Sequence, residues 1–223
     1  MALYHQTKAY ESSRHLDVAC GSGIGALIFT SMIKVPNKSG HLLVTSDIIP
    51  LMQEVMIKRF KDADFMTNQN NSFYSCAEEV NEKLSFPDEE KGVHIKSYLA
   101  NNEKLRFASE DFHSYNANLS LMLVHNHINQ LREGYRVLWK GGIAGFTVAG
   151  KRENCTFFTL IAKEIAQTGI EIPKQGGDPF YLGENNQRLI DVAQKAGFKN
   201  AVTYYIPGFV SFKDGEEAYY QIT

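Results

Sequence analysis

Residues 15–32 constrain the fold more than any other stretch. A short apolar strand, His15-Leu-Asp-Val-Ala, runs straight into a glycine-rich turn, Gly21-Ser-Gly-Ile-Gly25, and then into a helical stretch, Ala26-Leu-Ile-Phe-Thr-Ser-Met32. Strand, glycine turn and helix in immediate succession form a βα unit, which covers its apolar faces within a layered, mainly parallel sheet. The rest of the chain keeps the same rhythm. Further strands are expected at His41–Thr45, with Asp47 at its end, at Val93–Leu99, at Leu119–Val124 and at Ile143–Val148. The Leu119–Val124 run is apolar enough to be buried on both faces. Helices are expected after the glycine turn, stopping before Pro36, and over Pro50–Phe60, Asn129–Trp139, about 157–168 and 186–196. Ala201–Ile206 and the segment 218–222 read as a closing antiparallel pair.

Between Asp62 and Lys91 the rhythm breaks. This stretch is polar, Asn-rich and acidic, and it reads as an insert within one domain spanning 1–223. Residues 66–90 bury little apolar area by composition, so they are expected to form a substrate lid or a surface for a protein partner or homodimer. The acidic run Glu78–Glu90 reads as a solvated face.

A chain of 223 residues with 43% hydrophobic and 22% charged residues suits one domain with a substantial core. Its net charge of −2 and lack of a Lys/Arg run give no electrostatic footprint for nucleic acid. Cys20, Cys76 and Cys155 are odd in number and widely spaced, which fits reduced thiols. No apolar stretch reaches the roughly 20 residues needed to span a bilayer. The first residues are too polar for a secretory signal, so a cytoplasmic protein with no membrane contact is expected.

A glycine turn between strand and helix suits an adenosine-containing cofactor. Gly21 and Gly23 let backbone approach a ligand, the helix start offers free N–H groups, and Asp47 can accept from ribose hydroxyls. Gly21-x-Gly23-x-x-Ala26 also fits a dinucleotide fingerprint. Against that reading, Asp17 interrupts the first strand and no length remains for a separate substrate domain. The only Tyr-x-x-x-Lys match, Tyr4 to Lys8, precedes the turn.

Five segments, in order, resemble class I S-adenosylmethionine-dependent methyltransferases of the broad UbiE/small-molecule type. Leu16-Asp-Val-Ala-Cys-Gly-Ser-Gly-Ile-Gly is similar to motif I, and Ser46-Asp-Ile-Ile-Pro-Leu-Met to the segment at the ribose. Asn101-Asn-Glu-Lys-Leu-Arg-Phe is similar to the stretch beside the adenine. Tyr135-Arg-Val-Leu-Trp-Lys-Gly-Gly resembles the approach to strand five, and Leu189-Ile-Asp-Val-Ala-Gln-Lys-Ala-Gly-Phe the helix before strand six. The resemblance implies a Rossmann-like α/β fold: a seven-stranded, mainly parallel sheet of order 3-2-1-4-5-7-6, last strand antiparallel, helices on both faces. It implies S-adenosyl-L-methionine as cofactor, held at Asp17, Ala19, Gly21 and Gly23, at Asp47, Ile48 and Met52, and at Asn101, Asn102, Glu103 and His125. Three departures stand out: Asn101 replaces an aspartate, Trp139-Lys140 replaces Lys-Pro, and few residues precede the first strand.

Methyl transfer from a sulfonium needs alignment and exclusion of water, with a base only where the acceptor must lose a proton. His125 and His127 are the candidates for that role, against a reading in which they begin a helix capped by Asn126 or Asn129. His-x-His without a third ligand gives no metal site. Tyr4, Tyr10, Phe180, Tyr181, Tyr204 and Tyr205 are candidates to line an apolar acceptor pocket, with the 176–181 segment favoured. The expected activity is methyl transfer to a small-molecule acceptor. The alternatives are a catalytically silent methyltransferase-like interaction subunit and an NAD-linked oxidoreductase.

Overall fold

A computed structural model describes residues 2–11, 13–33, 40–65, 71–76, 84, 92–169, 177–208 and 213. The chain begins with a short helix, α1 (Ala2–Gln6), and a 3₁₀ turn (Ala9–Glu11) that lead into β1 (Arg14–Val18) and α2 (Ile24–Met32). Next come β2 (His41–Asp47), α3 (Pro50–Asp62), β3 (Ser72–Cys76) and β4 (Val93–Leu99). The second half holds β5 (Phe112–Ala117), α4 (His127–Val137), β6 (Leu138–Phe146), α5 (Thr156–Gln167) and α6 (Asn186–Ala196). Local chemistry sets several boundaries. Pro50 opens α3, Asn126 caps α4 by accepting from the Ile128 and Asn129 amides, and Asn185 caps α6, which ends at Gly197 with φ 116°.

Among the described residues, the sheet has six parallel strands in the order β3-β4-β2-β1-β5-β6. Alternate residues of the central strands face opposite layers. Leu43 and Ile95 pack with Ala26 and Phe29 of α2 and with Met56 and Phe60 of α3. On the other face, Leu16, Val18, Leu42 and Val44 pack with Tyr115, Ala117 and Val137. Leu121, Leu131, Leu182, Val192 and Ala196 extend that layer under α4 and α6. This is the expected Rossmann-like α/β class, and β4, β2, β1, β5 and β6 reproduce its inner order, 3-2-1-4-5.

Three expectations are corrected. The fourth family strand is Phe112–Ala117, whereas 119–123 turns at the sheet's carboxyl edge. An apolar-run criterion misses β5 because its buried polar residues are matched within the sheet: His15 Nδ1 and Ser114 Oγ lie 2.6 Å apart. Leu121 is buried under α4, but Leu123 is 74% exposed, so that run never served as a two-sided strand.

The sheet also gains a strand where the sequence reads as an insert. Ser72–Cys76 pairs with β4 at the sheet edge, and Asp62 belongs to α3. Leu84 is buried, with its amide donating to Asp111 Oδ2 and its carbonyl accepting from Arg14. Segment 62–91 therefore contributes to the core and the sheet. Its remaining parts, 66–70, 77–83 and 85–91, lie outside the described residues.

Finally, 201–206 forms no ladder among the described residues, and its expected partner at 218–222 lies outside them. The sheet described is thus six-stranded rather than seven. Also outside the described residues are Pro36 and Gly176. Among the described residues, no helix is long and apolar enough to cross a membrane.

Candidate functional site

The chain runs outward from β1 to β2 and on to the edge strand β3, steps back to β4 between them, then returns to place β5 on β1's other side. The carboxyl ends of β1 and β5 therefore flank the point where strand order reverses, the place where α/β sheets open a crevice. The glycine turn sits there. Ala19 at φ 50°, Gly21 at 53° and Gly23 at 74° all occupy the left-handed region. Nothing within 4 Å would meet a side chain on Gly21, whereas one on Gly23 would run into Met56. The backbone of the turn is thus open at Gly21 and packed at Gly23.

Asp47 anchors this turn. Its Oδ2 accepts from the Gly21 amide at 2.9 Å and its Oδ1 from the Ile49 amide at 3.0 Å. Arg59 grips the other side, donating to the Ser22 carbonyl at 2.9 Å and to Ser22 Oγ at 3.3 Å. Arg59 is a residue the sequence reading passed over. Helical spacing from Met52 and Met56 was the available signal, since it places Arg59 on the α3 face that meets the loop.

Asp17 lies beneath the turn, 3% exposed, with Oδ2 accepting from the Tyr4 hydroxyl at 2.9 Å. Burial pushes its carboxyl up to about 7; the Tyr4 hydrogen bond works against that rise and the Asp47 charge adds to it. The Cys20 thiol is pushed well up by burial and by the charges of Asp17 and Asp47. Two carboxyl groups, Asp17 and Asp47, therefore border the turn, with the Arg59 guanidinium bound at Ser22. Asn116 is Asp17's register neighbour on β5, fully buried, with neither side-chain polar atom bonded. It was not foreseen, because the sequence reading placed the strand elsewhere.

The remaining predicted residues gather at the same edge. Ile48 follows β2 and is 66% exposed, and Met52 is half-buried on the first turn of α3. In the loop after β4, Asn101 Oδ1 accepts from the Glu103 amide at 2.9 Å, closing a local turn, and Asn102 keeps a buried, unbonded Oδ1. Glu103 accepts from the backbone amides of His125 (3.3 Å) and Asn126 (2.6 Å), tying that loop to the start of α4. His125 is exposed. His127 opens α4, half-buried, with its pKa lowered by burial and its ring 6.4 Å from that of Tyr181. Phe180 is buried beneath the Arg152 guanidinium, which pairs with Asp178 at 2.7 Å, whereas Tyr181 is half-exposed. Tyr4 belongs to the core below the turn, not to an open pocket wall. Among the described residues, no group of three His, Cys, Asp or Glu is arranged to hold a metal.

No family model matches this chain, and no curated protein matches its sequence. Solved structures do match. The trans-methyltransferase CalH, solved with SAH, superposes with a TM-score of 0.55 at 13% identity, covering 89% of this chain and 48% of that one. The 4+2 cyclase SpnF gives 0.54 at 14% identity, covering 88% and 55%. An arsenic (III) S-adenosylmethionine methyltransferase from Chlamydomonas reinhardtii gives 0.52 at 18% identity, covering 84% and 52%. This chain thus spans about half the length of each of these three proteins. At such identities the likeness is one of fold, and a cyclase among the matches shows that the fold does not dictate the reaction. The chain has the α/β fold of the class I S-adenosylmethionine-dependent methyltransferases.

Proposed function

We propose that this chain binds S-adenosyl-L-methionine at the Gly21–Gly23 turn and catalyses methyl transfer to a small-molecule acceptor. The observation that carries the reading is the pair of carboxyl groups at the turn: Asp17 beneath it, accepting from Tyr4, and Asp47 at its rim, accepting from the Gly21 amide. A pyrophosphate placed there would meet two negative charges, and the Gly21 amide that would serve it already donates to Asp47. A cofactor bearing an ammonium and a sulfonium suits that pair.

The residues present fit such a group. Open space faces Gly21, and the exposed Ile48 offers an apolar surface beside Asp47 for a flat base. Each Asp47 oxygen keeps a second acceptor site for a ribose hydroxyl after serving its backbone donor. Asn102 presents a buried, unbonded oxygen in the loop after β4, and Asp17 offers its carboxylate to the amino-acid end. Asn101 Oδ1 accepts from the Glu103 amide, which leaves a second lone pair on that oxygen and the amide nitrogen to face a ligand.

When bound, S-adenosylmethionine supplies an electrophilic methyl group on a sulfonium sulfur. The chain's own contribution is alignment and exclusion of water, with the loops after β5 and β6 forming the acceptor side. His125 and His127 stand at that side, and the half-buried, neutral His127 is the better placed to take a proton from an acceptor. The test is incubation with methyl-labelled cofactor and a panel of small oxygen, nitrogen, sulfur and arsenic acceptors. Label should move to an acceptor and SAH should accumulate. Cofactor binding with no transfer to any acceptor would favour a silent binding subunit instead.

A further inference from the structure

Two glycines seat the N-terminal helix. A Cβ on Gly25 of α2 would collide with the Tyr4 hydroxyl, and one on Gly145 of β6 would lie 2.5 Å from Thr7 Cγ2 and 2.6 Å from Leu3 Cδ1. The Tyr4 ring lies against His15 and Phe29, with centroids 5.8 and 5.7 Å away. Helix α1 has only five residues, too few to persist without tertiary support, so this seat is what orders it.

The seat brings one polar group to one place. Tyr4 is 4% exposed, and its hydroxyl ends on Asp17 Oδ2. Phenylalanine would fill the same apolar space, so the hydroxyl serves the carboxylate and not the packing. The ionisable groups acting on Asp17 or acted on by it are Tyr4 from α1, Cys20 from the turn, Asp47 from β2 and Tyr115 from β5. All are acids. Asn116, beside it in the sheet, has side-chain polar atoms without partners. A carboxylate buried among acids is costly unless a cation is brought to it.

Resting on the reading of the site above, we infer that Tyr4 is a positioning residue: it holds the Asp17 carboxylate in place for the cationic amino group of S-adenosylmethionine, so that seating of α1 and cofactor binding are linked. The Tyr4 hydrogen bond also favours the Asp17 anion. Removing it should therefore both weaken binding and move its pH dependence upward.

The test is calorimetric titration of S-adenosylmethionine between pH 6 and 9 for the wild type and Tyr4→Phe, with trypsin cleavage after the exposed Lys8 as a second readout. Tyr4→Phe should bind roughly tenfold more weakly at pH 7, the scale of one hydrogen bond to a charged group, with the deficit shrinking as pH rises. Saturating cofactor should slow cleavage after Lys8 in the wild type. Should Tyr4→Phe not fold, Gly145→Ala, whose Cβ would press on Thr7 and Leu3 of the seat and lie 2.9 Å from Asn116 Oδ1 beside Asp17, should weaken binding and speed that cleavage. No binding by the wild type would overturn the cofactor reading itself. Binding by the wild type with a superimposable Tyr4→Phe pH profile, or cleavage after Lys8 indifferent to cofactor, would overturn the role of Tyr4 alone.

Discussion

The Gly21 amide donates to Asp47 Oδ2 at 2.9 Å, so the last residue of β2 fixes the turn that ends β1. Asp47 therefore has two tasks, one in the resting protein and one toward a ligand. Asp47→Ala is expected to lower unfolding stability by about 1–3 kcal/mol, since the Gly21 and Ile49 amides lose a charged acceptor. It should also weaken cofactor binding by roughly 1.5–3 kcal/mol. Urea denaturation and calorimetry on the same variant separate the two effects.

Ala19 carries the backbone strain of the turn, at φ 50° in a region that a Cβ disfavours. Ala19→Gly should raise stability by up to roughly 1 kcal/mol, because relief of strain exceeds the added chain entropy. Ala19→Val, with a branched Cβ at the same angle, should cost about 2 kcal/mol. Thermal melts of the three proteins check the order Gly, Ala, Val.

Asp17 and His15 make opposing contributions to pH dependence. Asp17 is raised to about 7 in the fold from 3.8, so the unfolded chain ionises first and stability falls as pH climbs through that window. His15 is lowered by burial to about 3 from 6.5, so its contribution is complete above 6.5 and declines as pH falls toward 3. Asp17→Asn removes the Asp17 contribution. Relative to the wild type, the unliganded variant should gain about 1.4 kcal/mol per unit between roughly pH 4 and 7 and be more stable at pH 8. A gap independent of pH would mean that Asp17 is ionised throughout.

The core role of segment 62–91 is checked at Leu84. Leu84→Ala should destabilise by about 2–4 kcal/mol, in the range of large-to-small core substitutions. A change below about 0.5 kcal/mol would return the segment to a peripheral loop.

Much of the fold was legible in the sequence because periodicity and punctuation agreed there. Pro50, Asn126 and Gly197 mark helix ends, and the alternation of Leu42, Leu43 and Val44 over two packed faces marks a central strand. β5 was not legible, since its buried residues include the polar Ser114 and Asn116: Ser114 is matched by His15 of β1, and Asn116 is buried without a side-chain partner. β3 was hidden inside an acidic, Asn-rich stretch, although Phe73 packs against the core. Within the site, Gly21 and Asp47 could be read from motif and spacing, and their direct hydrogen bond could not. Tyr4 reaches the turn through tertiary packing from an element distant from it in sequence, which no local pattern records, and Arg59 is marked by nothing more than its helical spacing from Met52 and Met56.

The most direct test of the central claim is calorimetric titration of the unmodified protein with S-adenosylmethionine, SAH and NAD under one set of conditions. The account predicts saturable binding of S-adenosylmethionine and SAH at one site per chain, with NAD weaker by at least tenfold, and loss of that preference in Asp47→Ala. Tighter binding of NAD, or no binding of either sulfur-containing ligand, would contradict it.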